Sequence, residues 1–126
     1  MLGSASPIAF LPSTDLDRSR RFFAGTLGLA VDEVTSFACV VRVGATTLRV
    51  TKTDQLRPQP FTVFGWEVAD IDAVVAGLSG VGVTFLRYDG MEQDGAGVWT
   101  TPGGDRIAWF RDPDGNILSL TEFAQR

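Results

Sequence analysis

The chain has no histidine among its 126 residues. That absence excludes Ser-His-Asp and Cys-His catalysis, an imidazole general base, and every metal site that uses imidazole. Cysteine is scarce as well. The single Cys39 cannot form an internal disulfide, and a lone thiol fits a reducing cytoplasm. Basic residues are outnumbered, 11 Lys and Arg against 15 Asp and Glu, for a net charge of −4 and a pI of about 4.6. An acidic chain of this kind is not expected to bind nucleic acid or anionic membranes. No apolar run approaches the roughly 20 residues needed to span a bilayer. The opening residues, Met1-Leu2-Gly3-Ser4-Ala5-Ser6-Pro7, lack a basic segment followed by an apolar one, so no secretory signal is expected there.

The composition is that of a globular protein, 44% apolar and 21% charged. The length suits one domain over 1–126 that buries roughly two thirds of its unfolded surface. The most informative stretch lies near the end. Asp112-Pro113-Asp114-Gly115-Asn116 is turn chemistry: proline presets φ, glycine supplies φ > 0, and the Asp and Asn side chains bond nearby backbone. Arg106 to Phe110 before it and Ile117 to Leu120 after it are apolar runs, so the segment reads as a hairpin.

Upstream, Pro7 to Pro12 reads as a strand, and Thr14 or Asp15 as the N-cap of a helix. That helix carries Leu16, Arg20, Phe23 and Leu27 on one stripe and ends at Gly28. Ala30 to Thr35, Phe37 to Val43 and Thr46 to Lys52 read as strands, the last two joined by a tight turn at Gly44-Ala45. Pairing Val43 with Thr46 puts Phe37, Cys39, Val41, Val43, Leu48 and Val50 on one apolar face. The other face receives Ala38, Val40, Arg42, Thr47, Arg49 and Thr51. The first face is expected to pack a helix, and the second to line a cavity of mixed polarity.

Residues 53–60 form the linker, rich in polar residues and proline. The pattern then restarts: a strand over Phe61 to Val68, a helix over Asp70 to Leu78, strands at Val83 to Leu86 and Val98 to Thr101, and the closing hairpin. Asp15-Leu16-Asp17 before a helix stopping at Gly28 parallels Asp70-Ile71-Asp72 before one stopping at Gly80. The chain is therefore an internal repeat with a period of about 55 residues, two modules of strand, helix and three strands over about 7–52 and 61–123.

Three motifs, in this order, resemble the vicinal oxygen chelate superfamily of glyoxalases, bleomycin-resistance proteins and extradiol dioxygenases. They are Asp15 to Ser19 with Phe22-Phe23 and Leu27-Gly28-Leu29, then Val68 to Asp72, then Asp112 to Asn116. The resemblance implies an α+β fold of two βαβββ modules forming a curved mixed sheet around a cavity, with a homodimer as the usual assembly. It also implies four metal-ligand positions, which fall on Ile8, near Arg49, near Val63, and on Ser119, four places after Gly115. Isoleucine and valine have no donor atoms and arginine repels a cation, so a metal-free protein without cofactors is expected.

From those positions, strand alternation directs Phe10, Pro12, Arg42, Arg49, Phe61, Val63, Gly65, Glu67, Ile107, Trp109, Ile117, Ser119 and Thr121 toward the cavity. A mostly apolar surface with an aromatic element suits a small organic ligand. Trp109 leads the candidates, because Ala108 and Phe110 take the core side; ligand contact, packing and a dimer contact all remain open for it. Trp99 joins it, although the pattern leaves its face undecided. Arg42 and Arg49 either bind a ligand anion, pair with Glu67, or reach solvent. Phe22, Phe23, Phe64, Trp66 and Phe110 read as core, Cys39 as buried and inert, and Asp112 and Asp114 as turn residues. Tyr88 and Asp89 read as part of a variable surface loop, with a mobile lid as the other option.

Three functions follow: a metal-free binder of an organic, aromatic ligand; a divergent enzyme of the superfamily (lyase, isomerase or dioxygenase-like) using Glu67 or Glu122 as acid or base, or an atypical metal site; or a ligand-sensing or subunit-interaction module.

Overall fold

The computed structural model describes residues 1–125, in two units, Met1–Pro58 and the segment from Gln59 onward. The division falls inside the 53–60 linker. Each unit is one βαβββ module of an α+β fold, and each carries its own four-stranded mixed sheet.

In the first unit the strands are β1 (Ile8–Ser13), β2 (Ala30–Val34), β3 (Ala38–Val43) and β4 (Thr46–Lys52), in the order β1-β4-β3-β2. β1 runs parallel to β4, and the other pairs are antiparallel. The expected pairing of Val43 with Thr46 is present, across a two-residue turn where Gly44 takes φ +56°. Period-two alternation then does the rest. Leu11, Cys39, Val41, Leu48 and Val50 are all buried on the face that packs α1 (Leu16–Arg20). Asp15 is the cap, accepting the Arg18 N–H at 3.0 Å.

Two details of this unit differ from expectation. Phe37 does not join the apolar face; it is 75% exposed. The Thr35 hydroxyl accepts the N–H groups of Phe37 and Ala38, so the Phe37 N–H turns back to Thr35 and the regular strand starts at Ala38, although the Phe37 carbonyl still accepts the Lys52 N–H. Nor does Arg20 join the helix stripe. Ser19 is buried there instead, held by a 2.6 Å hydroxyl–hydroxyl bond to Ser13, beside Leu16 and Phe23. A guanidinium would have to shed water to lie there, whereas a bonded hydroxyl does not. After Arg20 the helix widens into a π-turn over Arg21–Thr26, where the Leu27 N–H reaches the Phe22 carbonyl, and Gly28 ends it at φ +73°.

In the second unit the strands are β5 (Thr62–Glu67), β6 (Trp99–Thr100), β7 (Arg106–Arg111) and β8 (Ile117–Glu122), in the order β5-β8-β7-β6. This repeats the topology of the first unit strand for strand. Helix α2 (Ile71–Gly80) is capped by Asp70, which accepts the Ala73 N–H at 3.1 Å. It packs on β7 and β8, over buried Ala108, Phe110, Leu118 and Leu120, with its own Ile71 and Val75 buried. Trp66 stacks on Phe110 on this side at 6.2 Å and 16°, as expected of core aromatics. The strand expected over Val83 to Leu86 is reduced to one bridge, Phe85 to Phe110, with the Leu86 N–H bonded to the Trp109 carbonyl. Four residues that turn away after so short a pairing cannot extend a ladder.

Candidate ligand-binding site

The face of the second sheet turned away from α2 is set by cross-strand register. Gly65, Ser119 and Trp109 form one row across β5, β8 and β7. Glu67, Thr121, Ile107 and Trp99 form the next, across all four strands. Directly paired residues share a face, so Trp99 stands on the same side as Trp109. The two indoles stack, with centroids 6.3 Å apart and planes at 29°. Tyr88 completes the aromatic group, its ring edge-on to Trp109 at 5.3 Å and 90°. Both indoles are half-buried, and Glu67 at the end of its row is exposed.

Gly65 is where an added side chain would collide with the neighbouring strand. A Cβ there would lie 2.9 Å from the Ser119 carbonyl oxygen and closer still to the Ser119 hydroxyl. The serine hydroxyl therefore occupies the hollow that the glycine leaves open. The result is a shallow, small-residue strip beside two indoles.

The other candidates lie elsewhere. Phe61 precedes β5 and is 57% exposed, and Val63 sits at the register shift between Thr62 and Phe64. In the first unit, Phe10, Arg49 and Val40 share one row, and Ile8, Thr47 and Arg42 the next, on the face away from α1. Phe10 and Ile8 are exposed there, at 62% and 54%. Arg42 bonds Asp32 at 2.7 Å in an exposed pair, which contributes little to stability. Glu122 points the other way from Glu67: its carboxylate accepts the Ile71 N–H at 3.0 Å, at the start of α2. Beside it, Arg106 grips Asp72 through two bonds of 2.7 and 2.8 Å, and that hydrogen bonding holds the Asp72 carboxyl below the usual range.

The terminal turn is built as its sequence implies. Asp112 accepts the N–H groups of Asp114 and Asn116 and the Asn116 side-chain amide. Burial pushes its carboxyl up, against those bonds. Cys39 is buried, and burial raises its thiol pKa. Neither group has the exposure a catalytic acid or nucleophile needs.

Sequence reasoning missed the structure of the 86–98 loop. Gln93 spends its whole amide on it: Nε2 donates to the Leu86 and Gly97 carbonyls and Oε1 accepts the Tyr88 N–H, each at 2.8 Å. Arg87 donates to the Asp94 and Gly95 carbonyls. Asp94 accepts the Ala96 and Val98 N–H groups. The loop thus holds Tyr88 against Trp109. The only signals in the sequence were one glutamine and one tyrosine in a polar stretch, and neither names a partner.

A metal centre at the family positions does not fit the donor set. Ile8 and Val63 carry no donor atom, Arg49 is a cation, and Ser119 supplies one hydroxyl. Among the described residues there is also no cluster of three or more Cys, Asp or Glu placed to hold an ion. No helix among them is long and apolar enough to cross a membrane.

Comparison with known proteins gives the family. The model of the Glyoxalase/Bleomycin resistance protein/Dioxygenase superfamily matches residues 6–120. A superfamily member from Sphaerobacter thermophilus DSM 20745 is 24% identical, with a TM-score of 0.74 over 98% of this chain and 100% of that one. A glyoxalase/bleomycin resistance protein/dioxygenase from Alicyclobacillus acidocaldarius is 16% identical, with a TM-score of 0.73 over 97% and 93%. Lactoylglutathione lyase from Agrobacterium tumefaciens is also 16% identical, at 0.72 over 94% and 93%. At these identities the likeness is one of fold. Among curated proteins no sequence matches significantly.

Proposed function

We propose, from the premise that this chain belongs to the Glyoxalase/Bleomycin resistance protein/Dioxygenase superfamily, that it is a metal-free protein binding a small organic, aromatic ligand. The observation that carries the reading is the aromatic group on the second sheet. Trp109 is stacked with Trp99 and braced by Tyr88, next to the low ground of Gly65 and Ser119. A flat ring laid on that strip meets an indole face and a serine hydroxyl, with the Glu67 carboxylate at the margin. Phe61, just before β5, belongs to the same reading as a further ligand contact; Phe10, Arg42 and Arg49 form a second candidate surface on the first unit's own sheet. The protein acts as a cytoplasmic homodimer.

The donor set supports the metal-free part, since the family positions hold no competent ligand. An enzymatic reading retains Glu67 as its acid or base. Glu122 is less suited, because its carboxylate is committed to the start of α2.

Titrating planar aromatic compounds against tryptophan fluorescence tests the reading. A binding compound should quench or shift the emission, and Trp109→Ala should weaken it by about 1–3 kcal/mol. If no compound in a broad aromatic library changes the fluorescence, and Trp109→Ala only unfolds the domain, Trp109 is a packing residue and the reading fails.

A further inference from the structure

A separate cleft of about 690 Å³ lies in the second unit, between the 89–94 loop and β6. Its lining mixes polar and apolar groups; of the apolar ones Val98 is buried, and Met91 and Trp99 are half-buried. Its charged rim carries one sign only. Asp89, Glu92 and Asp94 line it, and no lysine or arginine does among the described residues. These carboxylates are not equivalent. Asp94 is occupied, with Oδ1 accepting the Ala96 and Val98 N–H groups and Oδ2 3.7 Å from the Arg106 guanidinium. Asp89 and Glu92 are exposed and make no hydrogen bond or ion pair among the described residues.

We propose that this cleft is a binding site for a small organic cation, an amine or quaternary ammonium group that rests on the Trp99 indole and is neutralised by Asp89 and Glu92. An indole face attracts a cation through its quadrupole, and Met91 offers a soft, polarisable contact to the alkyl part. The volume is that of a small-molecule pocket rather than an ion site. The walls are held before any ligand arrives. Gln93, Arg87 and Asp94 fix the loop backbone through seven hydrogen bonds, and Gln93 bridges to Trp99 in the sheet. A site that need not be ordered on binding keeps more of its contact energy.

The cleft and the sheet face share only Trp99, so the two proposals can fail independently. The test is a titration of the full nitrogen-15-labelled chain with benzyltrimethylammonium, and with phenylacetate as the anion of similar shape, followed by amide and indole resonances. The cation should give saturable shifts in the backbone amides of 89–100 and the Trp99 indole N–H; phenylacetate should not. Asp89→Asn with Glu92→Gln should weaken the cation by about three- to tenfold, and added salt should weaken it further. Trp99→Leu should weaken it by about threefold or more. Because Asp89 and Glu92 are exposed, their double variant should keep the parent melting temperature. Equal responses to cation and anion, no saturation across the millimolar range, or no effect of the double variant would overturn the site. Shifts confined to Gly65, Trp109 and Ser119 would overturn it too, while leaving the sheet-face reading intact.

Discussion

Gly65→Ala adds a single methyl group, and the structure lets its cost be worked through. In a strand interior, alanine ordinarily gains about 0.5–1 kcal/mol over glycine, because the unfolded chain loses less freedom. Against that, the new Cβ would meet the Ser119 carbonyl oxygen at 2.9 Å, and the Ser119 hydroxyl closer still. The hydroxyl can rotate away. The carbonyl cannot, because Ser119 lies in β8 between β5 and β7. Overpacking costs about 1–3 kcal/mol, and a clash with fixed backbone lies in the upper part of that range, about 2–3 kcal/mol, so the net loss is about 1–2.5 kcal/mol. For a 126-residue chain that lowers the melting temperature by about 3–10 °C. Thermal unfolding followed by circular dichroism reads this directly. Adding Ser119→Ala should recover part of the loss, by clearing the hydroxyl, and leave the part owed to the carbonyl; the cycle isolates the coupling. Gly65→Ala melting at or above the parent temperature would refute the reasoning, because it would mean that β5 and β8 separate at no cost.

Three other outcomes are expected. Zn²⁺, Ni²⁺, Mn²⁺ and Fe²⁺, added separately, should leave the melting temperature unchanged, where a true site would add about 2.7 kcal/mol at a hundredfold excess over its dissociation constant; an EDTA-reversible stabilisation by any of them would count against the metal-free reading. Sedimentation equilibrium at micromolar concentration should give a dimer of the 13.6 kDa chain, and a single monomeric species throughout would exclude it. Arg106 lowers the Asp72 carboxyl pKa, so that pair's contribution is present above the ordinary carboxylate value and lost as the pH falls through the lowered one; Asp72→Asn should therefore reduce the stability difference between neutral and acid pH, and an unchanged acid limb would show that the pair contributes nothing.

The features legible in the sequence were those settled by a few adjacent residues. The Asp15 cap, one of two candidates with Thr14, the Asp112–Asn116 turn and the Val43–Thr46 register each depend on chemistry within about five positions, where chain connectivity supplies the proximity. Alternation carried that register along β3 and β4, and correctly separated the buried Cys39, Val41, Leu48 and Val50 from Arg42 and Arg49. It also put Trp109 opposite Ala108 and Phe110. Extrapolation failed where a local bond interrupted the period, as the Thr35 hydroxyl does before Ala38.

What only the tertiary structure decided rests on distant partners. A two-residue strand has no period to read, so Trp99 acquired its face from pairing with Ile107. Gly65 looked like any glycine in a strand until Ser119, 54 positions away, was seen to fill the space above it. Glu122 was a candidate acid or base until its acceptance of the Ile71 N–H tied it to the start of α2. The 86–98 loop was a polar stretch until Gln93 was found to hold it, and with it the cleft wall. Local chemistry determines which backbone conformation a segment prefers, but which side chains meet depends on contacts that chain order does not encode.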